Sequence, residues 1–318
     1  MPRTLTDLSI DEIRKRYAAG DKAVSPQVLK RLQRDPRQGA RALYESLKRR
    51  YESGRRETLR MQAMRHFELV LWKSGVTEIA GVDEAGCGPL AGPVVAAAVV
   101  FPPDTDIAGI DDSKKLDAPT RDALAILIRE RASGIGVGVA TVAEIDEINI
   151  YHAALLAMRR AVEALPQRPQ HILVDARTVP GVDIPQNKFD KGDGINFTIA
   201  AASIIAKTER DRMLDALDRE HPGYGFASHK GYATPEHRRA LAKFGPSPVH
   251  RKSFPVIDEM QGGFSPLFYV LKAQVFDANT RVALAEAEAA IASHERDLPE
   301  RECARLKVLV GRRWKVFR

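Results

Sequence analysis

Only two cysteines, Cys87 and Cys303, occur in 318 residues. A pair so far apart is no disulfide framework, and it points to a reducing compartment. No stretch reaches the length of unbroken apolar sequence that a membrane span needs. The first residues, MPRTLTDLSIDEIRKRY, lack the apolar core of a signal peptide. These absences predict a soluble, cytoplasmic chain with no membrane partner. Repeats and low-complexity segments are missing too, and 44% of the residues are hydrophobic. Such a chain is globular, with room for one large domain or one domain with appendages.

Several chemical signatures are also absent. Without G-x-S-x-G, H-E-x-x-H or C-x-x-C, neither serine-triad nor zinc chemistry has support. A dinucleotide loop fails as well. Gly86, Gly88 and Gly92 give G-x-G-x-x-x-G, and Pro89 with the β-like run from Pro93 leaves no room for the helix that must receive a pyrophosphate.

Positive charge, in contrast, is plentiful and unevenly placed. The chain carries a net +7, while residues 1–74 hold 18 Lys and Arg against 9 Asp and Glu. The remainder is therefore slightly acidic. A basic balance suits a polyanionic partner such as nucleic acid. The basic segment reads as helices. One opens on Ser9 as cap and closes at Gly20. A second has Ser25 as cap and Pro26 in its first turn, and a longer, broken stretch follows from Gly39. Two readings of this extension stand side by side: an electrostatic arm for nucleic acid, or a solvated helical face.

Four segments read as strands: TEIAGVDE, GPVVAAAVVF, SGIGVGVATV and QHILVDAR. The second is apolar throughout, as expected of a strand covered on both faces. Helical spacing marks VAEIDEINIYHAALLAMRRAVEAL, and INFTIAAASIIAKTERDRMLDALDREH passes from a short extended piece into a helix. TPEHRRALAKFG has Thr234 as cap and Gly245 as stop. Interleaved strands and helices predict an α/β layer architecture with a mixed or parallel sheet. From about residue 264 the pattern is helical again, broken near Pro299.

The acids are placed unusually. Asp83 and Glu84 end an apolar run just before a glycine-rich turn, Asp175 ends another, and Asp193 lies in the turn-like DKGDG. Neighbouring strand residues point to opposite faces, so Asp83 and Glu84 converge only if the strand stops or kinks. Gathered carboxylates repel unless a cation joins them. Such a set suits a hard divalent ion, Mg²⁺ or Mn²⁺. Taken singly, each acid also reads as a cap, a turn residue or an ion-pair partner.

Eight segments in this order resemble bacterial ribonuclease HII, the type 2 ribonucleases H, over roughly residues 75–255. They are GVDEAGCGPLAGPVVAAAVV, DDSKKL, EIDEINIYHAALLAMRRAV, ILVDAR, KGD, AAASIIAKTERDR, GYGFASHKGY and GPSPVHRKSF. The resemblance implies an RNase H-like mixed five-stranded sheet flanked by helices, and the helical patterns on either side read as extensions over residues 1–74 and 256–318. It implies an endonuclease that hydrolyses the RNA strand of RNA/DNA hybrids and nicks duplex DNA on the 5′ side of embedded ribonucleotides. Two divalent ions, Mn²⁺ or Mg²⁺, would be held by Asp83, Glu84, Asp175 and Asp193, leaving 3′-hydroxyl and 5′-phosphate ends. Gly86, Cys87 and Gly88 match the motif that senses the 2′-hydroxyl partly through backbone groups. Tyr232 matches the junction-sensing tyrosine, and Lys114, Ser203 and Lys207 match phosphate-side or supporting positions. A monomer is expected, and contact with a replication clamp is left open. The related type 3 enzymes fit less well, because GPLAGPV favours type 2. A non-catalytic hybrid-binding protein would be expected to have lost one of the four acids.

One residue departs from the family pattern. Where the family usually has Arg between the two glycines, this chain has Cys87, and a thiol supplies neither the charge nor the donors of a guanidinium. Sensing through the backbone would survive that change; sensing through the Arg side chain would weaken. Cys87 makes a poor nucleophile, since nearby carboxylates raise its pKa.

Overall fold

The computed structural model describes residues 8–17, 23–260 and 264–317. The chain divides into two compact units, Met1–His66 and Phe67–Arg318.

The first unit is helical, with α1 (Ile10–Tyr17), α2 (Pro26–Gln33) and α3 (Ala40–Met64). Ser9 caps α1 as expected: the Glu12 N–H donates to its hydroxyl, and its own N–H donates to the Glu12 carboxylate. The Val28 N–H donates to Ser25 at the start of α2. Ile13, Leu29, Leu32, Leu43 and Leu47 form the apolar centre. The expected helix end at Gly20 lies outside the described residues.

The second unit begins within α4 (His66–Lys73) and continues through β1 (Ile79–Ala85), β2 (Val94–Val100), α5 (Ala118–Arg131), β3 (Gly134–Ala140) and α6 (Val142–Glu163). Next come β4 (His171–Asp175), β5 (Gln186–Phe189), a 3-10 turn at Gly192–Gly194, α7 (Phe197–Glu220), α8 (Phe226–His229) and α9 (Pro235–Phe244). The chain ends with α10 (Pro255–Met260), α11 (Pro266–Asp277), α12 (Arg281–Ser293) and α13 (Glu300–Val316).

The five strands form one mixed sheet in the order β3-β2-β1-β4-β5. β1 runs antiparallel to β2 and parallel to β4. Period-two alternation divides the strand side chains between two helical layers. Ala80, Val82, Ala96, Ala98 and Val174 pack with Ala153, Ala157 and Met158 of α6. Ile79 and Leu173 face the other way, onto Ile199 of α7. β2 lies between these layers and is buried at every residue, which explains its unbroken apolar run. Glycine lets α6 come close to β3: a Cβ on Gly138 would lie 2.0 Å from the Ala157 carbonyl oxygen.

The sequence expectations meet the structure differently from element to element. α9 has the expected Thr234 cap, with Gly245 at its end. α6 is broken at Asn149, whose backbone takes φ 68° and whose side chain accepts the His152 N–H. That backbone lies in a region normally left to glycine, and the Asn149 side chain caps the turn that follows, so correct helical spacing on either side hides a strained kink. The short extended piece before α7 does not join the sheet. The fifth strand is QNKF, four residues without apolar alternation. α4 lies in the basic sequence segment, but its Glu68 is fully buried against α7. Glu68 accepts the Thr198 N–H at 2.9 Å and the Thr198 hydroxyl at 3.0 Å.

Candidate active site

β1 and β4 end side by side. The last paired residues, Val82 and Val174, are each followed by an aspartate, Asp83 and Asp175. Both acids continue the face that carries Ile79 and Leu173 towards α7. Asp83 is 3% exposed. Burial, then the charges of Glu84 and Asp175, push its carboxyl well above the usual range, with Asp193 adding to the push and a hydrogen bond from Ser203 opposing it. The other three predicted acids therefore all act on Asp83.

β1 does not stop between the paired acids but runs on to Ala85. Glu84 consequently starts from the α6 face, where Arg177 Nη1 donates to its Oε1 at 2.9 Å. Burial raises the Glu84 carboxyl, while Arg177 pulls it down. Asp175 accepts the Gly192 N–H at 2.6 Å, which ties the end of β4 to the turn carrying Asp193. Asp193 is 5% exposed, and its Oδ2 lies 3.5 Å from Lys114 Nζ. Burial and Asp112 raise its carboxyl, against the pull of Lys114. Among the described residues, no group of three or more His, Cys, Asp or Glu is gathered tightly enough to hold an ion as it stands. Lys114 and Arg177 each hold one acid of the set. The donors nevertheless fit a divalent cation: all are carboxylate oxygens, and the buried one at their centre carries the repulsion of its neighbours.

The remaining predicted residues fall in three places. Ser203 on α7 lies beside Asp83, with its hydroxyl 2.9 Å from that of Ser113. Lys207, one turn further along, is instead engaged by Asp211, with Nζ–Oδ2 at 2.6 Å. Gly86, Cys87 and Gly88 form the turn after β1, and Tyr232, 45% exposed, faces them. A Cβ on Gly88 would lie 3.8 Å from Tyr232 Cε1. Burial, then the Glu84 charge, pushes the Cys87 thiol up to about 12. It is a neutral thiol and not a nucleophile.

Two arginines that sequence reasoning passed over hold the glycine turn from beneath. Arg251, fully buried, donates to the Gly86 carbonyl at 2.6 Å, Gly92 at 3.0 Å and Cys87 at 3.2 Å. Arg210, 1% exposed, donates to Pro93, Lys230 and Ala91. Gly86 has φ 101°, and a Cβ there would lie 2.2 Å from Arg210 Nε. Both arginines stand inside quoted motifs, TERDR and VHRKSF. Nothing in residue type alone separates a buried arginine from a surface one. Arg177, also missed, follows Asp175 in VDAR and lies 5.2 Å from the Tyr151 ring centroid.

Histidines fix the tyrosine side. The Ser247 N–H donates to His250 Nδ1 at 2.9 Å, so the proton of neutral His250 sits on Nε2. That proton goes to His237 Nε2 at 2.9 Å, and His237 Nδ1 in turn donates to the Tyr232 carbonyl at 2.8 Å. Burial, then the charge of His237, pushes His250 down to about 4, which keeps this chain of bonds neutral.

The ribonuclease HII family model matches residues 80–256, and the model of the ribonuclease HII N-terminal domain matches residues 9–72. Ribonuclease HII of Myxococcus xanthus is 51% identical over 259 residues, covering 81% of this chain and 88% of that protein. The Anaeromyxobacter protein of the same name is 47% identical, with 82% and 83% covered. Among solved structures, the ribonuclease H2 of Pyrococcus horikoshii matches with a TM-score of 0.51 at 27% identity, over 57% of this chain and 96% of its own. With an RNase H-like sheet that brings two aspartates together at its centre, the chain belongs to the ribonuclease HII family of metal-dependent ribonuclease H hydrolases.

Proposed function

We propose that the protein hydrolyses the RNA strand of RNA/DNA hybrids and nicks duplex DNA on the 5′ side of embedded ribonucleotides, leaving 3′-hydroxyl and 5′-phosphate ends. The observation that carries this reading is the placement of Asp83 and Asp175 at adjoining strand ends, one residue past the last register pair, with Asp83 buried under the repulsion of Glu84, Asp175 and Asp193. Asp83, Glu84, Asp175 and Asp193 would hold two divalent ions, Mg²⁺ or Mn²⁺. Bound there, they would activate a water and stabilise the departing 3′-oxygen.

The chain's own residues do the rest. Lys114, whose side chain is largely exposed, exchanges Asp193 for a phosphate oxygen. Ser203 keeps a donor on Asp83. The turn at Gly86–Gly88 meets the ribose, whose 2′-hydroxyl distinguishes RNA from DNA. Tyr232 stacks against the neighbouring sugar and reads whether a deoxyribose follows. With Cys87 neutral, the middle of the turn offers its backbone and not a charge.

The test is cleavage of a duplex with one embedded ribonucleotide beside a full hybrid, each with Mg²⁺ and with Mn²⁺, and with product ends mapped. Cleavage of both is expected, at the 5′ side of the ribonucleotide and only with a divalent ion. Asp83→Asn should still bind the duplex but fail to cut it. Near wild-type nicking by that variant, or cleavage without divalent ions, would overturn the assignment.

A further inference from the structure

Arg210 projects from α7 with 1% of its surface exposed, and its guanidinium makes three bonds that all end on main-chain carbonyls. Nε donates to Pro93 at 3.0 Å, Nη2 to Ala91 at 3.1 Å and Nη1 to Lys230 at 3.0 Å. Two of these carbonyls belong to the chain leaving the glycine turn. The third belongs to the turn that leads through Gly231 into Tyr232. Burying a guanidinium is expensive, and burial lowers the Arg210 pKa accordingly. Three charge-assisted bonds offset that cost only where all three acceptors are in place.

What the arginine joins is the two sides of the groove that reads the sugar. A single backbone bond, the Leu90 N–H to the Gly231 carbonyl at 2.8 Å, also crosses between these sides. The opening they frame is narrow, because a Cβ on Gly88 would already be in van der Waals contact with Tyr232 Cε1 at 3.8 Å. A small shift of either side changes which sugar fits.

We propose that Arg210 is a positioning residue for substrate discrimination, which sets the gap between Gly88 and Tyr232 by clamping the glycine turn and the tyrosine turn to one planar guanidinium. The proposal rests on the reading of Tyr232 as the group that meets the sugar at a ribose-to-deoxyribose junction. Lysine cannot replace the clamp, since one ammonium on a flexible stem does not reproduce three donors in fixed directions.

The test is a double-mutant cycle with Arg210→Lys and Tyr232→Ala, read as kcat/KM on the embedded-ribonucleotide duplex and on the hybrid. Arg210→Lys should lower kcat/KM on the embedded substrate roughly tenfold more than on the hybrid, as expected for a small misplacement of a positioning group. The metal concentration for half-maximal cleavage should not move. In the Tyr232→Ala background, the same substitution should add less than about twofold. If it adds its full effect there, or lowers both substrates equally, Arg210 is merely structural. Gly88→Ala approaches the gap from the other side without a positive φ or a close backbone contact, and it serves if Arg210→Lys does not fold. It should shift selectivity in the same sense, and unchanged selectivity would overturn the proposal. Failure of the functional reading looks different: the wild-type protein would then cleave neither substrate.

Discussion

The carboxylate cluster and the glycine–tyrosine frame are built from neighbouring residues, yet their polar groups are satisfied in opposite ways. Asp83 is buried among like charges, and its neighbours Glu84 and Asp193 are held by Arg177 and Lys114. In the frame, Arg210 and Arg251 bond six different carbonyls between them, while His250 and His237 pass one neutral chain of bonds to Tyr232. The contrast follows from the two tasks. On the proposed reading, a cluster that takes up cations keeps its carboxylates close despite their repulsion. On the same reading, a frame that tells one sugar from another gains by being rigid before the substrate arrives.

The strongest way to break this contrast is to disturb the frame. Gly86→Ala forces a side chain onto a backbone at φ 101° and drives its Cβ to within 2.2 Å of Arg210 Nε and 2.9 Å of the Pro93 carbonyl. Strain and overpacking together should cost about 4 kcal/mol. Urea unfolding of the variant measures this. A loss below about 1 kcal/mol would show that the frame yields easily and is not the rigid half of the site.

The two halves also differed in how far the sequence revealed them. Acids at strand ends are conspicuous, because a carboxylate closing an apolar run contradicts its surroundings, so Asp83, Glu84 and Asp175 stood out by chemistry. Asp193 joins that set only as a weak candidate, since DKGDG reads as an ordinary turn, and the resemblance is what strengthens it. Most of the layered fold was legible from the apolar runs and the caps. QNKF was not, because a short edge strand has neither alternation nor hydrophobicity to mark it. The frame was largely hidden. Arg is found mostly at surfaces and His is of intermediate burial, so residue type gives no sign that long-range packing buries Arg210, Arg251, His237 and His250. The kink at Asn149 was masked by correct helical spacing on both sides.

Acidity separates the halves next. His250 titrates near 4 in the folded protein against an ordinary 6.5, so the unfolded chain binds the extra proton between those values. Stability from this histidine is complete above 6.5 and is lost as the pH falls towards 4. The expected loss between pH 7 and pH 5 is about 2 kcal/mol. The acid cluster works the other way. Asp83 and Asp193 have raised folded values, so the folded protein takes up protons first and gains stability as the pH falls towards the ordinary carboxylate range. Denaturation at the two pH values, with and without His250→Gln, resolves the pair. Removing His250 should make the protein lose less stability in acid, although His152, pushed down to about 4 by burial, and His237, also pushed down, still act in the same direction; an unchanged slope would refute the neutral histidine chain.

The smallest effect has the opposite sign and tests the cluster alone. Asp83→Asn keeps the size of the side chain and removes the charge at the point where burial, Glu84, Asp175 and Asp193 all oppose it. In the presence of a chelator, unfolding should therefore show the variant to be more stable than the wild type by about 1 kcal/mol near neutral pH. Added Mg²⁺ or Mn²⁺ should stabilise the wild type and leave the variant nearly unchanged, because ligand binding to the folded state is what raises stability. A gain of stability joined to a loss of metal response would mean that the unmatched charge is kept for the ion. If Asp83→Asn instead destabilises the metal-free protein, its carboxylate is already compensated by groups such as Ser203, and the contrast between a strained cluster and a satisfied frame fails at its centre.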